Sequence, residues 1–158
     1  MTTIPVVIVE DSEEFADGLK KVLESQQLFP CEVHILNPAD ERREKEPTFE
    51  EFYDEIARCT GDGVFPYYIV LMDNDLSWRW KGANLAPSFH NVIAISTDEK
   101  ASRWANYVFA DKAAIAYFND EVAKQKFLSV VVEVLKKILP PQQANNLPQL
   151  LLGDKETA

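Results

Sequence analysis

Five short apolar runs lie along the chain, and each has the length and composition of a buried β-strand. The third run is the plainest, because it passes from four aliphatic residues directly into Asp73. The first run likewise ends at Glu10 and Asp11. The runs predict strands over residues 5–9, 31–36, 67–72, 92–95 and 107–109.

Helix signals alternate with these strands. An apolar stripe at helical spacing follows the first strand and consists of Phe15, Leu19, Val22 and Leu23. Thr48 and Glu51 have the form of a capping box that opens a second helix. Residues 119–139 carry a strong amphipathic pattern, which Pro140 and Pro141 end. Strands that alternate with helices predict an α/β fold whose parallel sheet is covered on both faces.

The organisation is that of one domain, which we place at residues 1–139, followed by a C-terminal tail at 140–158. Residues 37–47 are polar, charged and bounded by prolines, and we interpret them as a loop. Arg42, Arg43 and Lys45 in this loop alternate with glutamates, which is typical of a solvated mixed-charge segment.

Charge and composition narrow the class of protein. The 158 residues have a formal net charge of −10, which argues against direct nucleic-acid binding, since that requires a basic face. No apolar run approaches the roughly 20 residues of a membrane span, and the N-terminus lacks the features of a secretory signal. Cys31 and Cys59 match no zinc or redox spacing. We therefore expect a cytoplasmic protein with two reduced thiols.

Polar residues collect where the predicted strands end. They are Glu10, Asp11, Asp73, Asp75, either Ser96 or Thr97, and Lys112. The carboxyl ends of parallel strands share one edge of the sheet, so we expect these side chains to converge there. Carboxylates packed this closely repel one another, and a hard divalent cation relieves the repulsion. Mg²⁺ prefers a few carboxylates together with water and a phosphoryl oxygen, so the pattern predicts a Mg²⁺ site.

These residues, in this order, resemble the response-regulator receiver domain of two-component signalling over residues 4–139. The resemblance implies a flavodoxin-like, doubly wound sheet of five parallel strands in the order 2-1-3-4-5. It implies a phosphoprotein that takes a phosphoryl group from a histidine kinase or phosphotransfer protein and acts on a downstream protein. Such a domain is not an enzyme in the ordinary sense, because it catalyses only its own phosphorylation and dephosphorylation.

The resemblance also implies a role for each residue of the set. Glu10 and Asp11 look like the acidic pair that holds Mg²⁺. Asp73 looks like the phosphoacceptor and also a metal ligand, and the backbone carbonyl of Asp75 looks like a further metal ligand. The remaining positions look like a switch hydroxyl, a switch aromatic residue, a phosphoryl-binding lysine and a loop glycine, namely Ser96, Phe109, Lys112 and Gly82.

The chain also departs from the family pattern. Ser77 and Ala113 stand where prolines are usual, and the segment between the second and third strands is longer than usual. Only 15 residues separate Ser96 from Lys112, so the helix between the fourth and fifth strands must be short or unwound. We therefore expect output through the longer segment, through residues 78–80 or through residues 147–152.

Two other functions fit part of the pattern. Asp73 and Asp75 also resemble the nucleophile loop of haloacid-dehalogenase-type phosphohydrolases, although that family expects its metal-binding acid pair downstream of the lysine. A pseudo-receiver, which binds proteins without being phosphorylated, fits the shortened helix. For Trp78 and Trp80 we expect that at least one ring packs on the core.

Overall fold

Five parallel strands form the sheet that organises the fold. The computed structural model describes residues 3–61, 67–77, 79–96, 99–109 and 120–147. The strands are β1 (Ile4–Val9), β2 (Cys31–Leu36), β3 (Ile69–Met72), β4 (Val92–Ile95) and β5 (Tyr107–Phe109). Their spatial order is β2-β1-β3-β4-β5, and the four pairings between neighbours are parallel. The predicted flavodoxin-like α/β fold is confirmed.

The three longest helices lie close to where the sequence predicts them, whereas two four-residue helices were not predicted. The α-helices are α1 (Glu13–Ser25), α2 (Phe49–Cys59), α3 (Gly82–Leu85), α4 (Glu121–Ile138) and α5 (Pro141–Ala144). Two 3₁₀ helices span Ala86–Ser88 and Glu99–Arg103. Helix α4 is shorter than the predicted 119–139, because the Asp120 carboxylate caps its first turn by accepting from the amides of Val122 and Ala123.

Helices cover both faces of the sheet. The apolar stripe of α1 and the buried side of α4 pack on one face, against residues such as Val6, Leu71 and Ile93. Phe52 and Ile56 of α2 pack on the other face, together with residues from the β3–β4 connection. The alternation of apolar positions in the central strands between the two clusters explains why these strands contain almost no polar residue.

The predicted capping box at the start of α2 is present. The Thr48 hydroxyl accepts from the Glu51 amide at 3.1 Å, and the Glu51 carboxylate accepts from the Thr48 amide at 2.9 Å. The hydrogen bond from the Thr48 amide lowers the pKa of Glu51. This contact therefore stabilises α2 above the ordinary pKa of a glutamate and is lost as the pH falls through the lowered pKa.

The connection between β4 and β5 is short. Within its described residues it contains the five-residue 3₁₀ helix Glu99–Arg103, whose Ala101 is buried. The expectation of a short or unwound helix here is confirmed. So brief an element buries little apolar area, and it presents a small surface for a partner.

The chain continues past α4 while remaining in contact with the core. Leu147 is buried beside Leu139 in the cluster formed by α1 and α4. Residues 148–158, which make up most of the predicted tail, lie outside the described residues.

Within the described parts of the chain, no helix combines the length and the apolar character that crossing a bilayer requires.

Candidate functional site

Three carboxylates meet at the carboxyl edge of the sheet, and we call them the acidic site: Glu10, Asp11 and Asp73. One carboxylate oxygen from each lies within 4.8 Å of the others. The juxtaposition follows from the register of the two central strands, in which Val9 of β1 lies opposite Met72 of β3. The residues that follow these two therefore emerge side by side. The convergence predicted for these three residues is what the structure shows.

Burial and hydrogen bonds hold two of the carboxylates in place. Glu10 is 3% exposed and Asp73 is 8% exposed, whereas Asp11 is exposed. Glu10 Oε1 accepts from the Ser12 amide at 3.1 Å, and Asp73 Oδ1 accepts from the Asn74 amide at 2.9 Å. Ser12 also caps α1, so the acidic site lies beside the positive end of that helix. Two buried acids and one exposed acid form a site that is preorganised but open to solution.

Asp75 belongs to the loop after β3 and differs from Asp73 in its surroundings. Its side chain is 81% exposed and pairs with Lys81, with Oδ1 at 2.7 Å from the ammonium nitrogen. Its backbone forms a β-bridge with Lys81. The role predicted for the Asp75 backbone carbonyl, as a metal ligand, stays a prediction.

Asn74 and Gly82 tie the two ends of this loop together. The Gly82 amide donates to the Asn74 carbonyl oxygen at 2.9 Å, and the Ala83 amide donates to the Asn74 side chain at 3.0 Å. A Cβ atom placed on Gly82 would lie 2.4 Å from the Asp73 carbonyl oxygen. Only glycine fits this close approach, because the atom that would be struck belongs to the backbone.

We expect Gly82→Ala to disturb the acidic site as well as the fold. The added methyl group must push the backbone of Asp73 away, and overpacking of this kind costs about 1–3 kcal/mol of unfolding free energy. Urea denaturation measures the loss, and amide NMR shifts at residues 73–75 report the displacement. A variant that keeps wild-type stability and wild-type shifts at these residues would contradict the close approach.

Ser96 and Phe109 lie at the same edge of the sheet, at the ends of β4 and β5, which are one and two strands beyond β3. Ser96 is buried at the end of β4, and its amide donates to the Phe109 carbonyl oxygen at 3.3 Å. The Phe109 ring packs edge-on against Phe127 of α4, with 5.9 Å between ring centroids. The third residue of this group, Lys112, lies outside the described residues, as does Thr97, the alternative to Ser96.

A cleft of about 640 Å³ opens beside the acidic site. Most of its charged lining is acidic, and Arg42 is a cation at its rim; the acidic lining comprises Glu10, Asp11, Glu13, Asp17, Asp40 and Glu41. Hydrogen bonds from Arg42 lower the pKa of Asp40 to about 2. Small cations and basic groups are therefore the partners that this cleft favours.

One basic side chain of the 37–47 loop is partly buried, although the sequence predicts that it is solvated. Arg43 makes a two-pronged pair with Glu55 of α2, at 2.8 and 2.9 Å, and both side chains are partly buried. Its guanidinium also lies over the Phe52 ring, 5.6 Å from the centroid. The interpretation of this loop as a wholly solvated mixed-charge segment is wrong for Arg43, because an acid and an aromatic ring from α2 compensate its burial.

Trp80 packs on the core, as expected for at least one of the two tryptophans. It is 6% exposed and contacts Phe52 edge-on at 5.3 Å between centroids. Its indole nitrogen donates to Glu46 Oε1 at 2.7 Å, across 34 positions of sequence. The sequence does not predict this contact of Glu46, because nothing in the pattern of a charged loop indicates which distant residue a glutamate will bind. Trp78 lies outside the described residues.

Comparison with protein-family models, with curated proteins and with solved structures finds no match to this chain. Three carboxylates within 4.8 Å of one another present the hard oxygen ligands that Mg²⁺ takes in proteins. The exposure of Asp11 leaves the site accessible to water and to a phosphoryl oxygen. The residues present fit a Mg²⁺ ion.

Proposed function

We propose that this chain is a phosphoacceptor signalling module similar to a receiver domain. In this proposal Asp73 takes a phosphoryl group from a histidine kinase or phosphotransfer protein, with Mg²⁺, and the modified domain changes how it binds a downstream protein. The observation that supports it most is the convergence of a buried Asp73 with Glu10 and Asp11 at the carboxyl edge of a 2-1-3-4-5 sheet. The net charge of −10 favours protein partners over nucleic acid, and we expect a cytoplasmic location.

The proposed chemistry is transfer to a carboxylate. An Asp73 oxygen attacks the phosphorus of a phosphohistidine, the P–N bond breaks, and its electron pair stays on the imidazole nitrogen. An acyl phosphate is left on Asp73. Water later attacks the phosphorus, the P–O bond to Asp73 breaks, and phosphate leaves with the carboxylate restored. A bound Mg²⁺ supplies positive charge that offsets the carboxylates and the phosphoryl oxygens.

Each residue of the predicted site has a role in the proposed reaction. Glu10, Asp11 and Asp73, with the Asp75 carbonyl, would hold the ion. The hydrogen bond from the Asn74 amide orients the Asp73 carboxylate. By the receiver resemblance, Ser96 donates a hydrogen bond to the phosphoryl group, Lys112 supplies a second positive charge, and Phe109 responds to the movement of Ser96. The backbone contact between Ser96 and Phe109 is a direct route for that response.

A small phosphodonor separates this proposal from its alternatives. Incubation with acetyl phosphate should give a stably labelled protein when Mg²⁺ is present and unlabelled protein when it is chelated. Rapid turnover of the donor would favour a haloacid-dehalogenase-type phosphohydrolase. Two observations already disfavour that enzyme: the Asp75 side chain pairs with Lys81, and Asp120 serves as a helix cap. Absence of labelling would favour a pseudo-receiver.

We expect the surface that responds to phosphorylation and binds the downstream protein to lie outside the short connection between β4 and β5. Beryllofluoride with Mg²⁺ mimics a phosphoryl group, and hydrogen exchange with and without it locates the response. Changes in protection should reach residues 76–85 or the tail, because the five-residue 3₁₀ helix Glu99–Arg103 is too short to present much surface. Changes confined to residues 98–109 would instead place the output on the conventional face.

A further inference from the structure

Hydrogen bonds join the two ends of the loop that follows Asp73, and we call its described residues, 74–77 and 79–81, the β3–α3 loop. The amides of Leu76 and Ser77 both donate to the Trp80 carbonyl oxygen, at 3.1 and 3.3 Å. The Lys81–Asp75 pair and the Gly82–Asn74 hydrogen bond close it further. These bonds connect Trp80 to Asn74, whose amide donates to the Asp73 carboxylate.

Trp80 is in turn held by the segment that precedes α2. Its indole N–H donates to Glu46, and its ring stacks on Phe49 with 6.3 Å between centroids and 5° between planes. Glu46 also pairs with Arg79 at 3.2 Å. The one Glu46 carboxylate thus contacts two residues of the β3–α3 loop. We call the three residues Glu46, Phe49 and Trp80 the aromatic clamp.

We propose that Glu46 is a positioning residue for the acidic site, acting through Trp80. The carboxylate fixes the indole, the indole fixes the β3–α3 loop, and the loop presents Asp73 and the Asp75 carbonyl. The part of this inference that concerns Mg²⁺ affinity rests on the proposed function. The geometric part, a coupling between Glu46 and the Asp73 backbone, stands without it.

Such coupling works in both directions. If Glu46 changes the affinity of the acidic site for a cation, then occupation of that site changes the contacts of Glu46 by the same free energy. Phe49, which is 47% exposed, lies on the solvent side of the clamp.

Mg²⁺ titration followed by amide NMR tests the proposal, using Glu46→Ala, Glu46→Gln and Trp80→Phe. Glu46→Ala loses the acceptor, and coupling through packed networks predicts Mg²⁺ binding weaker by about two- to thirtyfold. Glu46→Gln keeps an oxygen that accepts from the indole, so its affinity should stay near that of the wild type. Trp80→Phe keeps an aromatic ring but loses the N–H and part of the buried volume of the indole, so it should weaken Mg²⁺ binding at least as much as Glu46→Ala does.

Glu55→Ala is the matched control, because it breaks the Arg43–Glu55 pair next to the clamp without touching the β3–α3 loop. It should lower stability and leave Mg²⁺ affinity unchanged. A merely structural role for Glu46 predicts the same behaviour for Glu46→Ala, and that result would overturn the proposal. Arg79→Ala separates the two contacts of Glu46, since it removes the ion pair and keeps the indole hydrogen bond; its affinity should match the wild type.

Spectra recorded without Mg²⁺ keep this test independent of the proposed function. Glu46→Ala should shift the amide resonances of residues 73–76, and Glu55→Ala should not. If the wild type binds no Mg²⁺ while these shifts appear, the proposed function fails and the coupling stands. If the shifts are absent, the coupling fails whatever the wild type binds.

Discussion

Asp73→Asn is expected to abolish phosphoryl labelling of the protein. The amide is a far weaker nucleophile than the carboxylate and cannot form the acyl phosphate. Asp73 is also the buried carboxylate that ends a central strand and leads into the closed β3–α3 loop. Intact-mass analysis after incubation with acetyl phosphate and Mg²⁺ should show one added phosphoryl group on the wild type and none on the variant.

The matched control is Asp75→Asn, which makes the same chemical change two residues away. The Asp75 side chain is exposed and paired with Lys81, so this variant should label like the wild type. Labelling of Asp73→Asn to the wild-type extent would show that the phosphoacceptor is another residue. Loss of labelling in both variants would show that the loop as a whole, and not the Asp73 carboxylate, is required.

Asp11→Ala is expected to weaken Mg²⁺ binding by about tenfold or more, which corresponds to about 1.4 kcal/mol or more of binding free energy. The change removes one of the three carboxylates that converge on the acidic site. The metal-free variant should at the same time be slightly more stable than the wild type, by up to about 0.5 kcal/mol, because like charges are no longer crowded together. Calorimetric titration and urea denaturation measure the two effects.

Asp17→Ala distinguishes a ligand from a nearby charge. Asp17 lines the same acidic cleft but is not one of the three converging carboxylates. Both substitutions remove one negative charge from the cleft, so a general field effect predicts equal losses of Mg²⁺ affinity. A larger loss for Asp11→Ala supports direct ligation. Wild-type affinity in Asp11→Ala would place the metal site elsewhere.

Local patterns were enough to predict most of the fold. The bounds of β4 and β5 match the predicted strands, because each is a short apolar run, and β4 stops at the polar Ser96. The capping box at Thr48 was also predictable, since both of its hydrogen bonds join residues three positions apart. The short connection between β4 and β5 followed from residue count alone. Signals of this kind need no knowledge of distant contacts.

The acidic site was partly predictable for a topological reason. Once Glu10 and Asp73 are assigned to the ends of parallel strands, the sheet must bring them to one edge. Because β1 and β3 are adjacent in the sheet, the two carboxylates then lie close together.

The aromatic clamp was not predictable in this way. Glu46 meets Trp80 across 34 positions, and no periodic pattern marks a hydrogen bond between two loops. Arg43 was misjudged for the same reason, since its partner Glu55 lies on α2.

Chemical mapping of the phosphoryl group tests the central claim most directly. Borohydride reduces an aspartyl phosphate to homoserine, so wild-type protein labelled with acetyl phosphate and Mg²⁺, then reduced and digested, reveals the modified position by peptide mass. We predict homoserine at position 73, and unmodified Asp73 when Mg²⁺ is chelated before labelling. Homoserine at another position, or none at position 73 in a protein that carries the label, would contradict the assignment of Asp73 as the phosphoacceptor.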